Sequence, residues 1–161
     1  MPTAPRFRVA ERALPRFVRA GLLVSIVDGL FATAFGVFVR GVTPMRMWQG
    51  VASVPFGRVA IDGGKGMVAA GLALHVLVAF TWSALLFLSM QRSHKLRAAV
   101  DSPYGVLKVA SLLGPMIWLT MSLVVIPTMT HRMPAFTPAY FGQMLGHILF
   151  VAVPMLIGVR S

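Results

Sequence analysis

Three stretches of this chain, 66–91, 109–131 and 133–159, contain no Asp, Glu, Lys or Arg, and a fourth, between Arg19 and Arg40, contains only Asp28. Nothing else in the sequence constrains folding as tightly. About 20 helical residues, at about 1.5 Å each, cross a hydrocarbon core of about 30 Å. Inside a bilayer every backbone N–H and C=O needs an internal partner, so only helices and closed barrels span it. The runs lack the two-residue alternation of a barrel strand. They predict four transmembrane helices near 20–39, 66–90, 106–126 and 138–159. The expected fold class is all-α: a polytopic membrane protein with four transmembrane helices and a short interfacial helix in the first loop. A basic arm, 1–19, precedes the transmembrane domain, 20–161, and the connections leave little chain for a soluble catalytic domain. Composition agrees, with 57% hydrophobic and 12% charged residues against about 25% charged in soluble domains.

A net charge of +11 invites a nucleic-acid partner, but the basic residues sit at the ends of the apolar runs, where loop charge sets orientation. The bilayer, not nucleic acid, is the expected partner. Arg6, Arg8, Arg12, Arg16, Arg19, Arg92, Lys95, Arg97, Lys108 and Arg160 fall on one side, ten in all. Arg40, Arg46, Arg58, Lys65 and Arg132, five in all, fall on the other. Ten against five predicts a multi-pass inner-membrane protein with both termini cytoplasmic. The segment "ATA" at 32–34 resembles a signal-peptidase site, but Asp28 interrupts the apolar core and the run continues through Phe35 to Val39, so the first span is expected to stay uncleaved. In the arm, Phe7, Leu14, Phe17 and Val18 recur near helical spacing between arginines, suited to an anionic leaflet, with Pro15 expected to interrupt a continuous helix. There is no cysteine, and therefore no disulfide or thiolate chemistry.

The first loop is too apolar for a plain turn. Thr43-Pro44 reads as a cap and first helical residue, Met45, Trp48 and Ala52 recur at helical spacing, and Pro55 and Gly57 stop the run. This predicts a short interfacial helix with Trp48 at headgroup depth; a re-entrant segment dipping towards the bundle is the alternative. Enzyme motifs are missing: no GxSxG, no HExxH, and "DGGKG" at 62–66 lacks phosphate-loop spacing. The expectation is a non-enzymatic protein. No internal repeat suggests an inverted-repeat transporter.

Ionisable groups inside spans are costly and usually face the bundle interior, paired with one another. Asp28, His75 and His147 lie deep in three spans. Counting rise per residue puts Asp28 about 18 Å and both histidines about 13 Å from the outer edge. Asp28 shares a helical face with Ser25, Gly29 and Ala32; His75 with Gly71, Ala79 and Ser83; His147 with Tyr140, Gln143 and Pro154; and Ser111, Trp118 and Ser122 share one on the third span. Such small and polar faces are packing faces in membrane helices. Gly114-Pro115 is expected to kink the third span. Asp28, His75, His147, Ser122 and Gln143 are thus the candidate intramembrane polar cluster, and the partner of His75 is Asp28, His147 or both. Three explanations fit. The cluster is structural glue in a component of a membrane assembly or homo-oligomer. Alternatively it is a proton or ion relay in a small oligomeric transport protein. In the third, His75 and His147 hold a haem iron, or a metal with Asp28 as third ligand. His94 and His131 fall in loops and are expected to be solvated.

The runs "FGRVAIDGGKGMVAAGLALHVLVAFTW", "WLTMSLVVIPTMT" and "FGQMLGHILFVAVPM" resemble a group of small bacterial four-span membrane proteins of unknown function, more distantly similar to the YagU-like family. The matching features are an acid in the first span, a histidine before an aromatic stretch in the second, a proline closing the third and a Gly-His pair in the fourth. They fall on Asp28, His75, Pro127 and Gly146-His147. The chain departs at Ser122, where the group often carries asparagine. The resemblance covers most of 20–159; it implies the four-span fold and this cluster, and no substrate.

Overall fold

The computed structural model describes the backbone of residues 6–160 and the side chains of 14–160. Helices account for nearly all of it: α1 (Arg6–Phe38), α2 (Pro44–Phe56), α3 (Val59–Asp62), α4 (Gly64–Arg92), α5 (His94–Asp101), α6 (Gly105–Thr130) and α7 (Pro138–Val159). Four helical segments, Leu14–Phe38, Gly64–Arg92, Gly105–Thr130 and Pro138–Val159, are long and apolar enough to cross a membrane. At about 1.5 Å per residue they measure about 33–44 Å, more than a hydrocarbon core of about 30 Å. Their outward faces carry bulky apolar side chains such as Ile26, Leu30, Leu77, Leu112 and Leu149. This is what a lipid-facing surface requires. The architecture is that of a four-helix multi-pass membrane protein.

The start of the first span and the end of the last lie at the same end of the bundle. Arg19 Nε donates to the Gly158 carbonyl at 3.0 Å and its Nη2 to the Arg160 carbonyl at 2.7 Å. The apolar core fills this half: Ala20 and Val24 of α1, Ala79 and Leu86 of α4, Val100 of α5, Ile117 of α6, and Met155 and Leu156 of α7 are all buried. Small residues bring the helices together, as membrane packing demands. A Cβ on Gly158 would overlap the backbone of Ala20, and one on Gly114 would come within 2.6 Å of the Ile148 amide nitrogen.

The opposite half is organised differently, and α2 is the reason. Thr43 caps the helix as its sequence predicts, its hydroxyl accepting from the Arg46 amide at 3.2 Å. The helix does not lie with Trp48 turned to headgroups. Trp48, Gln49 and Ala52 are buried, because α2 packs along the first turns of α4, where Gly71 offers a bare backbone to the Trp48 carbonyl. Gln49 reaches the Gly64 carbonyl at 3.3 Å and Arg46 the Ile61 carbonyl at 2.8 Å.

Several local expectations are corrected. The helix of α1 runs unbroken through Pro15. Proline there removes one backbone bond, and the freed carbonyl lies near the end of the span, away from the hydrocarbon centre where its loss would be most costly. The side-chain spacing expected of the arm at Phe7 lies outside the described residues. His94 is not in a loop but opens α5, capped by Ser93, whose hydroxyl accepts from the Leu96 amide at 3.1 Å. Ser111 is exposed rather than on the packing face, since its hydroxyl is already satisfied by the Lys108 carbonyl at 2.8 Å. Elsewhere on α4 the bulky side chains divide between two faces: Phe80 packs against Gly21 and Phe17, and Leu72 and Val76 face outward.

Helical geometry continues through Pro115 and changes only at two π-helical turns, Met121–Val125 and Ile148–Ala152. Both stand just before a proline, Pro127 and Pro154. A proline ring clashes with the carbonyl four residues back and brings no N–H to it. A wider π turn immediately upstream relieves that clash: the Ile126 amide bonds Met121, and Val153 bonds Ile148, each five residues back.

Candidate functional site

Asp28 and His75 meet between α1 and α4. Ser25 turns its own hydroxyl back to the Gly21 carbonyl at 2.7 Å, and Gly29, one turn on, has no side chain. The Ser25 carbonyl is therefore open on that face. His75 fills the notch, with Nε2 3.3 Å from where a Gly29 Cβ would stand, and donates Nε2–H to the Ser25 carbonyl at 3.1 Å. A carbonyl only accepts, so this bond fixes the proton on Nε2. Nδ1 then faces Asp28 Oδ2 at 3.8 Å, with the two side chains only 14% and 15% exposed. That separation is longer than a direct hydrogen bond. Trp48 of α2 closes the site, its ring edge-on to His75 at 5.3 Å. The second carboxylate oxygen, Oδ1, is buried without a partner.

The remaining sequence-predicted residues belong to a second set on α6 and α7. His147 donates Nδ1–H to the Gln143 carbonyl of its own helix at 2.8 Å, and its ring packs on Trp118 at 4.8 Å. Ser122, in the first π turn, bonds the Tyr140 hydroxyl at 2.8 Å, both groups buried. Trp118 also packs on Tyr140 at 5.3 Å, and its Nε1–H is buried without an acceptor. Among the described residues no hydrogen bond joins His147 to His75 or Asp28. The five candidates are thus brought together as one facing pair and one aromatic-lined group. Among the described residues no three His, Asp or Glu side chains lie close enough to share a metal ion. His75 keeps Nε2 on the Ser25 carbonyl and turns Nδ1 towards Asp28.

Trp48, Trp118 and Tyr140 complete these sets and were not singled out as site residues from the sequence. Tyr140 and Trp118 share faces with Gln143 and Ser122, which was the available signal. Comparison of the chain with protein families, with curated proteins and with solved structures finds no match.

Proposed function

We propose that this chain is a non-enzymatic component of a membrane assembly, either a homo-oligomer or a larger complex, in a bacterial inner membrane with both termini in the cytoplasm. In it the Asp28–His75 pair ties the first span to the second. The observation that carries this reading is the seating of His75, held at once by the Ser25 carbonyl and opposite Asp28, under Trp48. A side chain fixed from three directions orders helices well; polar groups between membrane helices act as such glue. The resemblance to small four-span proteins agrees, since its shared acid and histidine are this pair.

The test is a double-mutant cycle in detergent. His75→Leu removes a bond worth about 0.5–1.5 kcal/mol and leaves Asp28 buried without its facing group, a penalty of about 1–3 kcal/mol. Asp28→Leu in that background should then cost less than it does alone, with a coupling of about 1–2 kcal/mol, near the upper end for membrane helices. His75→Gln should be milder than His75→Leu. Simple additivity would remove the tie and leave this reading without support. Copurification with a fixed set of proteins would supply the assembly.

A second reading has its own observation. Asp28 Oδ1 is buried and unpartnered, which structural glue leaves unexplained and a proton-carrying carboxyl would use. It expects dissipation of a pH gradient in liposomes, abolished by Asp28→Asn. The first reading expects no flux.

A further inference from the structure

A cleft of about 1020 Å³ opens at the end of the bundle opposite Arg19 and Gly158. One wall is the second half of α2 with the turn after it; the other is the end of α6 with the 131–137 loop. Three cations line it, Arg40, Arg58 and Arg132, and no acidic residue does. All three arginines are exposed, and none forms an ion pair among the described residues. The one acid nearby in sequence, Asp62, faces Arg46 at 4.0 Å, and Arg46 is not part of the lining. The positive charge of the cleft is therefore uncompensated. A recess with apolar walls and one sign of charge concentrates ligands of the opposite sign.

The floor has a separate character. Trp118, Tyr140 and Gln143 reach it from α6 and α7. The π turn at Met121–Val125 and the Ser122–Tyr140 bond hold this floor in place. Between floor and rim the walls are apolar, with Phe56, Met129 and Met133. The cleft is open on one side, and its volume lies at the upper end of that of small-molecule sites, about 300–1,000 Å³.

From the arginine rim and the apolar side chains of the walls together, we propose that this cleft binds an amphiphilic anion: a phosphate-bearing headgroup held by Arg58 and Arg132, with its apolar part against the walls. Guanidinium groups suit phosphate because they present paired donors in a fixed fork. A membrane-derived amphiphile is the source the position favours, since the cleft lies at the end of the spans, where headgroups reside. This inference is independent of the role of Asp28 and His75, neither of which lines the cleft.

The test is titration of the full chain in a non-ionic detergent with dihexanoyl phosphatidic acid, dihexanoyl phosphatidylcholine and inorganic phosphate. Binding is read by calorimetry and by the tryptophan emission that Trp118→Phe removes. Phosphatidic acid should saturate, at least about tenfold tighter than either of the others. Arg58→Gln and Arg132→Gln should each weaken it about tenfold or more, as expected when a hydrogen bond to a charged group is lost. Arg92→Gln, exposed at the other end of the bundle, should leave it unchanged. These arginines are exposed, so the variants should fold, and near-UV circular dichroism checks each one. Equal binding of phosphatidylcholine would overturn the anionic site. Equal binding of inorganic phosphate would overturn the amphiphile in favour of a free anion. Absence of saturation, or indifference to both arginines, would overturn the proposal altogether.

Discussion

Gly71→Ala is the sharpest probe of how α2 is seated. A Cβ at residue 71 would stand 2.9 Å from the Trp48 carbonyl carbon, closer still to its oxygen, and 3.4 Å from the Ala52 amide nitrogen. All three are backbone atoms, so no rotamer change relieves the overlap and α2 must move away bodily. Overpacking of this kind costs about 1–3 kcal/mol, and the rigidity of the obstacle places Gly71→Ala near the top of that range. Alanine returns about 1 kcal/mol through its better helix propensity, which leaves a net loss of about 2 kcal/mol. Gly66→Ala, in the same helix, isolates the packing term, because a Cβ there meets nothing within 4 Å. It should be neutral or stabilising by up to about 1 kcal/mol. Unfolding of both variants in mixed micelles, followed by circular dichroism, should therefore separate them by about 2–3 kcal/mol. Gly71→Ala should also shift tryptophan emission to the red, since Trp48, now 8% exposed, loses its seat. If the two variants behave alike, α2 does not rest on α4 at Gly71, and the enclosure of His75 by Trp48 fails with it.

Ser122→Ala should destabilise the protein by about 1–3 kcal/mol, because it strands the buried Tyr140 hydroxyl. Ser122→Ala with Tyr140→Phe should cost no more than the worse single change, and additive losses in the same unfolding assay would show that the two do not bond. A reporter fused after Ser161 should report cytoplasm, and one inserted at exposed Gly57 the opposite side; the inverted pattern would mean that the first-loop arginines dominate orientation over the ten charges counted against them.

The four spans were legible because an uncharged run of 20 residues reflects a large energy, that of burying charge in hydrocarbon, which local detail rarely overrides. The expected 66–90 and 138–159 fall within a residue or two of Gly64–Arg92 and Pro138–Val159. The start of α2 was legible for a local reason, the Thr43-Pro44 cap. The same capping logic applied at Ser93 would have found α5. The orientation of Trp48 was not legible, because its partners Gly71 and His75 are distant in sequence and both faces of a short amphipathic helix look alike from one chain. Depth matching put Asp28, His75 and His147 within reach of one another and left the partner of His75 open between Asp28 and His147; the structure turns His75 to Asp28 at 3.8 Å. Equal depth does not compel pairing, however, since a histidine can satisfy Nδ1 on the carbonyl four residues back, as His147 does with Gln143. The π turns were beyond reach for a related reason. Pro127 and Pro154 demand that the helix yield nearby, but whether it kinks or widens depends on what packs against it.

The same short helix bears on both candidate regions. One face of α2 turns Trp48 to His75, and another turns Gly50 and Ser53 to the cleft. On the far side Trp118 lines the cleft floor while its ring covers His147. Neither Asp28 nor either buried histidine touches the cleft. An indole thus stands beside each buried histidine, Trp48 at His75 and Trp118 at His147. Trp48 thus belongs to the proposed tie between the first two spans, and Trp118 joins the second polar group to the wall of the cleft. The proposed tie and the proposed ligand site therefore each have their own aromatic cover, on different helices and against different histidines.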